Sequence, residues 1–220
     1  MPAGPAAVAT RVLACCLALT CAIATASAQE VRRARVNYEY RLIEPQPVET
    51  ARKIEVIDFF WYGCPYSNAL QPALESWIRR KPDDVVLRRI PVILKDTWAP
   101  HARIYYTLEA LGEVERLHQR VYHGYHVDKL YMSKPGVMAN WAVENGIDRQ
   151  KWLDAYSSPG VDRKVRRAKE LTRLYNVQGT PSLVVDGRYL TSTNMVETVP
   201  DVIPVLNDLI RFARQQHRDK

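Results

Sequence analysis

The run Lys53 to Trp61, KIEVIDFFW, is the feature that most limits what this chain can fold into. It is β-branched and aromatic and reads as a buried central strand. It leads through Tyr62-Gly63-Cys64-Pro65 straight into a helical pattern. Leu70, Leu74, Trp77 and Ile78 recur there at spacings that build one apolar face, so the segment from Cys64 to Arg80 is expected to be a helix. Pro65 suits the first helical position, where its missing N–H costs nothing, and Gly63 allows a tight turn before it. Pro72, further in, is expected to kink the helix.

The rest of the chain is arranged around this strand and helix. Val36 to Ile43 partly alternates and reads as an edge strand, closed by Glu44-Pro45-Gln46-Pro47. Val85 to Leu94 is a second strand, with Pro91 placing its later part at an edge or a bulge. Helices are expected over Ala99–Leu111, Val114–Tyr122, Lys134–Asn145, Arg149–Tyr156 and Val161–Tyr175, punctuated by Gly112, Gly146 and Ser158-Pro159-Gly160. Ser182–Val185, Asp186-Gly187 and Arg188–Thr191 form a hairpin with the Asp-Gly turn signal. Val199–Gln216 closes the chain as a helix with Val202, Leu206, Leu209, Ile210 and Ala213 on one face. A small mixed sheet interrupted by a helical insertion is the simplest α/β arrangement of this order.

The first 28 residues differ from the rest of the chain. Arg11 is their only charge, Val12 to Ala26 is apolar or small, and Ala26-Ser27-Ala28 fits an A-x-A processing site. These are the marks of a secretory signal peptide cleaved after Ala28. An uncleaved membrane anchor fits less well, because the apolar run is short. A lipoprotein reading at Cys21 lacks a small residue at Thr20. Of the four cysteines in the sequence, Cys15, Cys16 and Cys21 lie in this leader. The mature chain would keep Cys64 alone and could form no internal disulfide. A lone cysteine in an exported protein points to a reactive thiol or an intermolecular partner.

Composition excludes little beyond this. With 47% apolar and 25% charged residues the chain is an ordinary globular one. The net charge of +7 comes from Lys and Arg scattered among Asp and Glu. No basic stripe is interleaved with aromatics, so no nucleic-acid partner is expected. His118, His123 and His126 with Asp128 do not make a metal site by spacing and are taken as surface histidines. Tyr105, Tyr106 and Leu108 are expected to pack between helices.

Cys64 stands where a strand hands over to a helix. Free backbone N–H groups and the helix dipole favour negative charge there, and both favour thiolate over thiol. Trp61 and Tyr62 flank the turn as an apolar platform for a peptide. The competing view is a buried, inert cysteine packing as a small hydrophobe. A dithiol redox site would carry its second cysteine three residues on, where this chain has Ser67.

FFWYGCPYSNALQP resembles the active-site region of the DsbA family of periplasmic thiol–disulfide oxidoreductases, which have a thioredoxin fold. IYYTLEALG, from Ile104 to Gly112, resembles the family's inserted helical domain. VQGTPSLVVDGRYLT, from Val177 to Thr191, resembles its cis-proline loop and hairpin. The likeness runs in order over about residues 31 to 215. It implies a thioredoxin-like domain over residues 29–96 and 166–220 with a helical domain over 97–165 inserted. It implies Cys64 as the attacking cysteine, Ser67 beside it, and Thr180 and cis Pro181 on a loop facing the sulfur. Trp61, Tyr62, Pro65 and Tyr66 would surround the bound substrate.

Two departures from the family pattern matter. Tyr66 stands where close relatives have histidine, and Ser67 stands where they have the second cysteine. A serine hydroxyl cannot resolve a mixed disulfide. It could at most donate a hydrogen bond to the Cys64 thiolate. The expectation is therefore monothiol exchange or isomerisation in the periplasm, on exported proteins with cysteines. Low-molecular-weight thiols or a membrane redox partner would complete the reaction, and no cofactor or metal is implied. The alternatives are a kappa-type glutathione-dependent transferase or isomerase, whose motif S-P-Y-S is close to CPYS, and a non-catalytic peptide-binding or chaperone module.

Overall fold

The computed structural model describes residues 34–50 and 52–219. The expected leader over residues 1–28, with Cys15, Cys16 and Cys21, lies outside the described residues. Among the described residues five strands form one sheet in the order β1-β5-β4-β2-β3. They are β1 (Arg41–Leu42), β2 (Ile54–Phe60), β3 (Val85–Pro91), β4 (Ser182–Val185) and β5 (Tyr189–Ser192). β2 pairs parallel with β3 and antiparallel with β4, and the other pairs are antiparallel. All seven residues of β2 are buried. β3 occupies the sheet edge and ends at Pro91, whose missing N–H an edge tolerates.

Side chains alternate across β2 and divide the interior in two. Ile54 and Val56 point to one face, with Leu183 and Val185 of β4. Two helices cover them: α1 (Pro65–Ile78) through Leu70, Leu74 and Trp77, and α7 (Val202–Arg218) through Val205, Leu206, Leu209, Ile210 and Ala213. Ile57, Phe59 and Val184 point the other way, into a second cluster with the helices between β3 and β4. Those helices are α2 (Ala99–Ala110), α3 (Val114–His126), α4 (Pro135–Glu144), α5 (Arg149–Tyr156) and α6 (Pro159–Leu174).

Two helix starts, those of α5 and α6, carry side-chain caps. Asp148 accepts from Lys151 N at 2.9 Å to open α5, and Ser158 accepts from Val161 N at 3.2 Å to open α6. The second cap corrects the sequence reading. Ser158-Pro159-Gly160 is not an interruption before a helix but its cap and first turn, with Pro159 at the first position. α3 runs on past Tyr122 to His126. At the hairpin, Asp186 and Gly187 both have positive φ, +51° and +65°, as the Asp-Gly turn demands.

The edge strand expected over Val36–Ile43 shrinks to Arg41–Leu42. Asn37 adopts a left-handed φ of +63° and its N–H turns back to Tyr40 O at 2.6 Å, so the chain before Arg41 is a turn. Asn is among the few residues that take this conformation at low cost. No helix among the described residues is long and apolar enough to cross a membrane.

Candidate active site around Cys64

The site begins with the turn that β2 feeds. Cys64 N–H donates to Trp61 O at 2.9 Å, which closes the turn, and Cys64 is the N-cap of α1. Its side chain makes no cap hydrogen bond. Instead Sγ donates to the carbonyl of Thr180 at 3.0 Å, across 116 residues of chain. The Thr180–Pro181 bond is cis. Thr180 and Pro181 therefore lie against Cys64, which is only 7% exposed.

Gly63 is needed here for a different reason from the one the sequence suggests. Its φ is not positive. A Cβ at this position would come within 2.3 Å of the Trp61 indole, which lies over the glycine. Trp61 in turn stacks flat on Trp98, with centroids 3.8 Å apart and planes parallel, and on His101 at 5.6 Å. Trp98 belongs to a short 3₁₀ turn, Asp96–Trp98, that leads into α2. The helices between β3 and β4 thus brace the cysteine turn.

The other predicted residues part company. Pro65 and Tyr66 are exposed, Tyr66 at 60%, at the start of α1. Tyr62 is fully buried, so its ring lies under the turn rather than on a surface a peptide could reach. Its hydroxyl is 2.8 Å from His118 Nδ1 on α3, and its carbonyl accepts from His126 Nε2 at 2.9 Å on the same helix. Ser67 is also fully buried, and its Oγ has no hydrogen-bond partner. It does not reach Cys64 Sγ, whose hydrogen goes to Thr180.

Several ionisable groups lie beneath this surface. Asp58 is fully buried with neither carboxylate oxygen hydrogen-bonded. Burial pushes its pKa up to about 7, Arg89 opposes this, and Glu75 adds to it. Arg89 is paired with Glu75 at 2.6 Å and Glu115 at 3.7 Å. Burial likewise drives the Tyr122 phenol well up, and the charges of Asp58, Tyr62 and Cys64 push the same way. The Ser67 hydroxyl pulls slightly in the other direction, although the two oxygens do not meet hydrogen-bonding geometry. His101 is held down to about 4, first by burial and then by His126.

The sequence reading missed the α3 histidines. His118 is buried against Tyr62 and Phe60, not on the surface. Only His123, 3.5 Å from Asp128, sits where a surface histidine was expected. The signal was available in the spacing: residues 118, 122 and 126 fall four apart and share one stripe of a helix. Trp98 and Asp58 were missed because neither has a local pattern that marks it. Tyr105, Tyr106 and Leu108 are buried in the insertion-side cluster.

Known proteins resemble this chain in sequence and in fold. The family model of the DSBA-like thioredoxin domain matches residues 84–203. The thiol:disulfide interchange protein DsbA of Bordetella parapertussis is 36% identical over 83% of this chain and 86% of its own length. That of Burkholderia cepacia is 34% identical over 78% of this chain and 82% of its own. The crystal structure of Pseudomonas aeruginosa DsbA superposes with a TM-score of 0.79 at 31% identity, covering 84% of this chain and 97% of that one. The sheet with its inserted helices fits these likenesses, and the chain belongs to the DsbA family of thiol:disulfide interchange proteins.

Proposed function

We propose that this chain is an exported member of the family that exchanges thiols and disulfides through Cys64 alone. The observation that carries the reading is the contact of Cys64 Sγ with the Thr180 carbonyl. It places a sulfur at a helix start, against the backbone beside Pro181, where an extended substrate segment could pair with that backbone and present its own sulfur. Ser67, one helical turn on, offers only an oxygen.

The chemistry then takes two steps. The Cys64 thiolate attacks a substrate disulfide, forming a Cys64–substrate disulfide and releasing one substrate thiolate. A second substrate thiolate, or a low-molecular-weight thiol, attacks the substrate sulfur of that mixed disulfide. A new disulfide forms and the Cys64 thiolate returns. No net oxidation occurs, and the outcome is isomerisation or exchange. The substrates are exported proteins with cysteines, and Trp61, Pro65, Tyr66, Thr180 and Pro181 are the residues that would meet them. The leader expected over residues 1–28 and the family's chemistry support a periplasmic location, where a membrane redox partner could also engage Cys64.

The test is capture of mixed disulfides from a periplasmic extract. Wild type is expected to hold many protein thiols that Cys64→Ala does not. Capture of glutathione alone would move the site to glutathione-dependent chemistry. No adduct would leave a peptide-binding module.

A further inference from the structure

Tyr62 is gripped at both ends by one helix. His118, in the middle of α3, lies 2.8 Å from the phenol oxygen, and His126, in its last turn, donates to the Tyr62 carbonyl at 2.9 Å. Tyr122 lies between them on the same stripe and packs edge-on against the Tyr62 ring at 4.9 Å. Tyr62 is two residues before Cys64 and fully buried, so its carbonyl has no access to water. The turn's own hydrogen bond, Cys64 N–H to Trp61 O, does not involve that carbonyl. His126 is therefore what satisfies it. A carbonyl left unpaired at this depth would destabilise the turn.

We propose that His126, with His118 behind it, is a positioning residue for the thiol. The α3 clamp on Tyr62 fixes the turn so that Cys64 Sγ stays aligned with the Thr180–Pro181 backbone where a peptide docks. The clamp is needed when sulfur and peptide backbone must be met together. It is not needed by a small reagent that meets the sulfur alone. The inference rests on the reading of Cys64 as the nucleophile. The ring nitrogen that contacts the Tyr62 carbonyl must carry a hydrogen, because a carbonyl only accepts. The titratable and charged groups facing His126 are Tyr62 on the turn, His101 on α2, Tyr122 and Tyr125 on α3, and Lys129, which donates to the His126 carbonyl.

The experiment compares wild type, His126→Phe and His126→Gln, since a glutamine amide can place a donor near the position of Nε2. Two rates are read at one pH: mixed-disulfide formation with a short peptide carrying a disulfide, and alkylation by iodoacetamide. His126→Phe is expected to slow the peptide reaction at least tenfold while alkylation stays within twofold, and His126→Gln to recover most of the loss. Equal losses in both reactions, or none in either, would overturn the proposal. Imidazole nitrogen-15 spectra of the wild-type protein give an independent reading that survives any variant that fails to fold. They are expected to show a hydrogen on His126 Nε2, and a bare Nε2 would overturn the clamp. If wild type alkylates normally yet forms no mixed disulfide, the exchange function fails, and the spectra alone then decide the clamp.

Discussion

The Trp61 indole lies flat between Gly63 below it and Trp98 above it, parallel to Trp98 at 3.8 Å. One ring thus couples the backbone of the cysteine turn to the first element of the helical insertion. A Cβ at Gly63 would meet that ring at 2.3 Å, and Trp98 blocks its retreat. Gly63→Ala is expected to destabilise the fold by about 2 kcal/mol, within the usual range for overpacking. In a Trp98→Ala background Trp61 can move away, so the same substitution should cost less than about 1 kcal/mol. Urea unfolding of the four proteins in this cycle measures the coupling, and strictly additive losses would contradict it.

Ser67→Cys replaces a fully buried hydroxyl that has no hydrogen-bond partner with a slightly larger sulfur. The change is expected to shift stability by less than about 1 kcal/mol, since it removes a buried polar group left unpaired. It should also let glutathione disulfide convert the two thiols into an internal disulfide, with release of two glutathione thiols. The variant would then oxidise dithiol peptides, an activity not expected of wild type. A variant that folds, takes up no internal disulfide and remains inactive would count against the assignment of the site.

Asp58, buried without a hydrogen-bond partner, is expected to make stability fall as pH rises. Its folded pKa is raised from the ordinary 3.8 to about 7. Below about pH 4 both states hold the proton and the group contributes nothing. Between about 4 and 7 the unfolded chain releases the proton while the folded one keeps it, so stability falls as pH rises, and above about 7 the loss is complete. A rise of about three units corresponds to about 4 kcal/mol at most. His101, held down to about 4, works in the opposite sense: its contribution is present above pH 6.5 and is lost as pH falls toward 4. The difference between wild type and Asp58→Asn isolates the carboxyl. The variant is expected to gain several kcal/mol relative to wild type between about pH 5 and pH 8, as measured by urea titration at each pH.

Gly187→Ala tests the hairpin. The residue has φ +65°, and a Cβ there would stand 2.2 Å from the carbonyl oxygen of Gln46. Gly112 has a similar φ of +73° with nothing within 4 Å. The alanine at 112 is expected to cost about 1 kcal/mol from backbone strain, and the alanine at 187 at least about 2 kcal/mol from strain plus collision. Thermal unfolding of the two variants side by side checks the order.

Much of this fold was legible because its punctuation is local. Gly112 and Gly146 end helices, Asp186-Gly187 turns the hairpin, and the apolar run of β2 marks the sheet centre. The approach of Cys64 to Thr180 and the cis bond before Pro181 were legible through the family likeness, although Cys64 and Thr180 lie 116 positions apart. The features that stayed hidden depend on packing across long separations. Tyr62 read as a platform because nothing near it in sequence says that α3 will cover it. His118 read as a surface residue because its partner is 56 positions away. The short β1 was misread because Val36 to Ile43 has a strand's composition, while the left-handed Asn37 ends any strand there.

The contact between Cys64 and Thr180 also has an order in time. Synthesis runs from the N-terminus, so the thiol emerges 116 residues before the carbonyl that receives it. The α3 histidines that hold Tyr62 come 56 and 64 positions behind it. For much of its birth the chain carries an uncovered thiol whose cover is still to be made. A fragment cut short before residue 180 would have the cysteine, the turn and the helix start, yet its sulfur would be open to any disulfide it met.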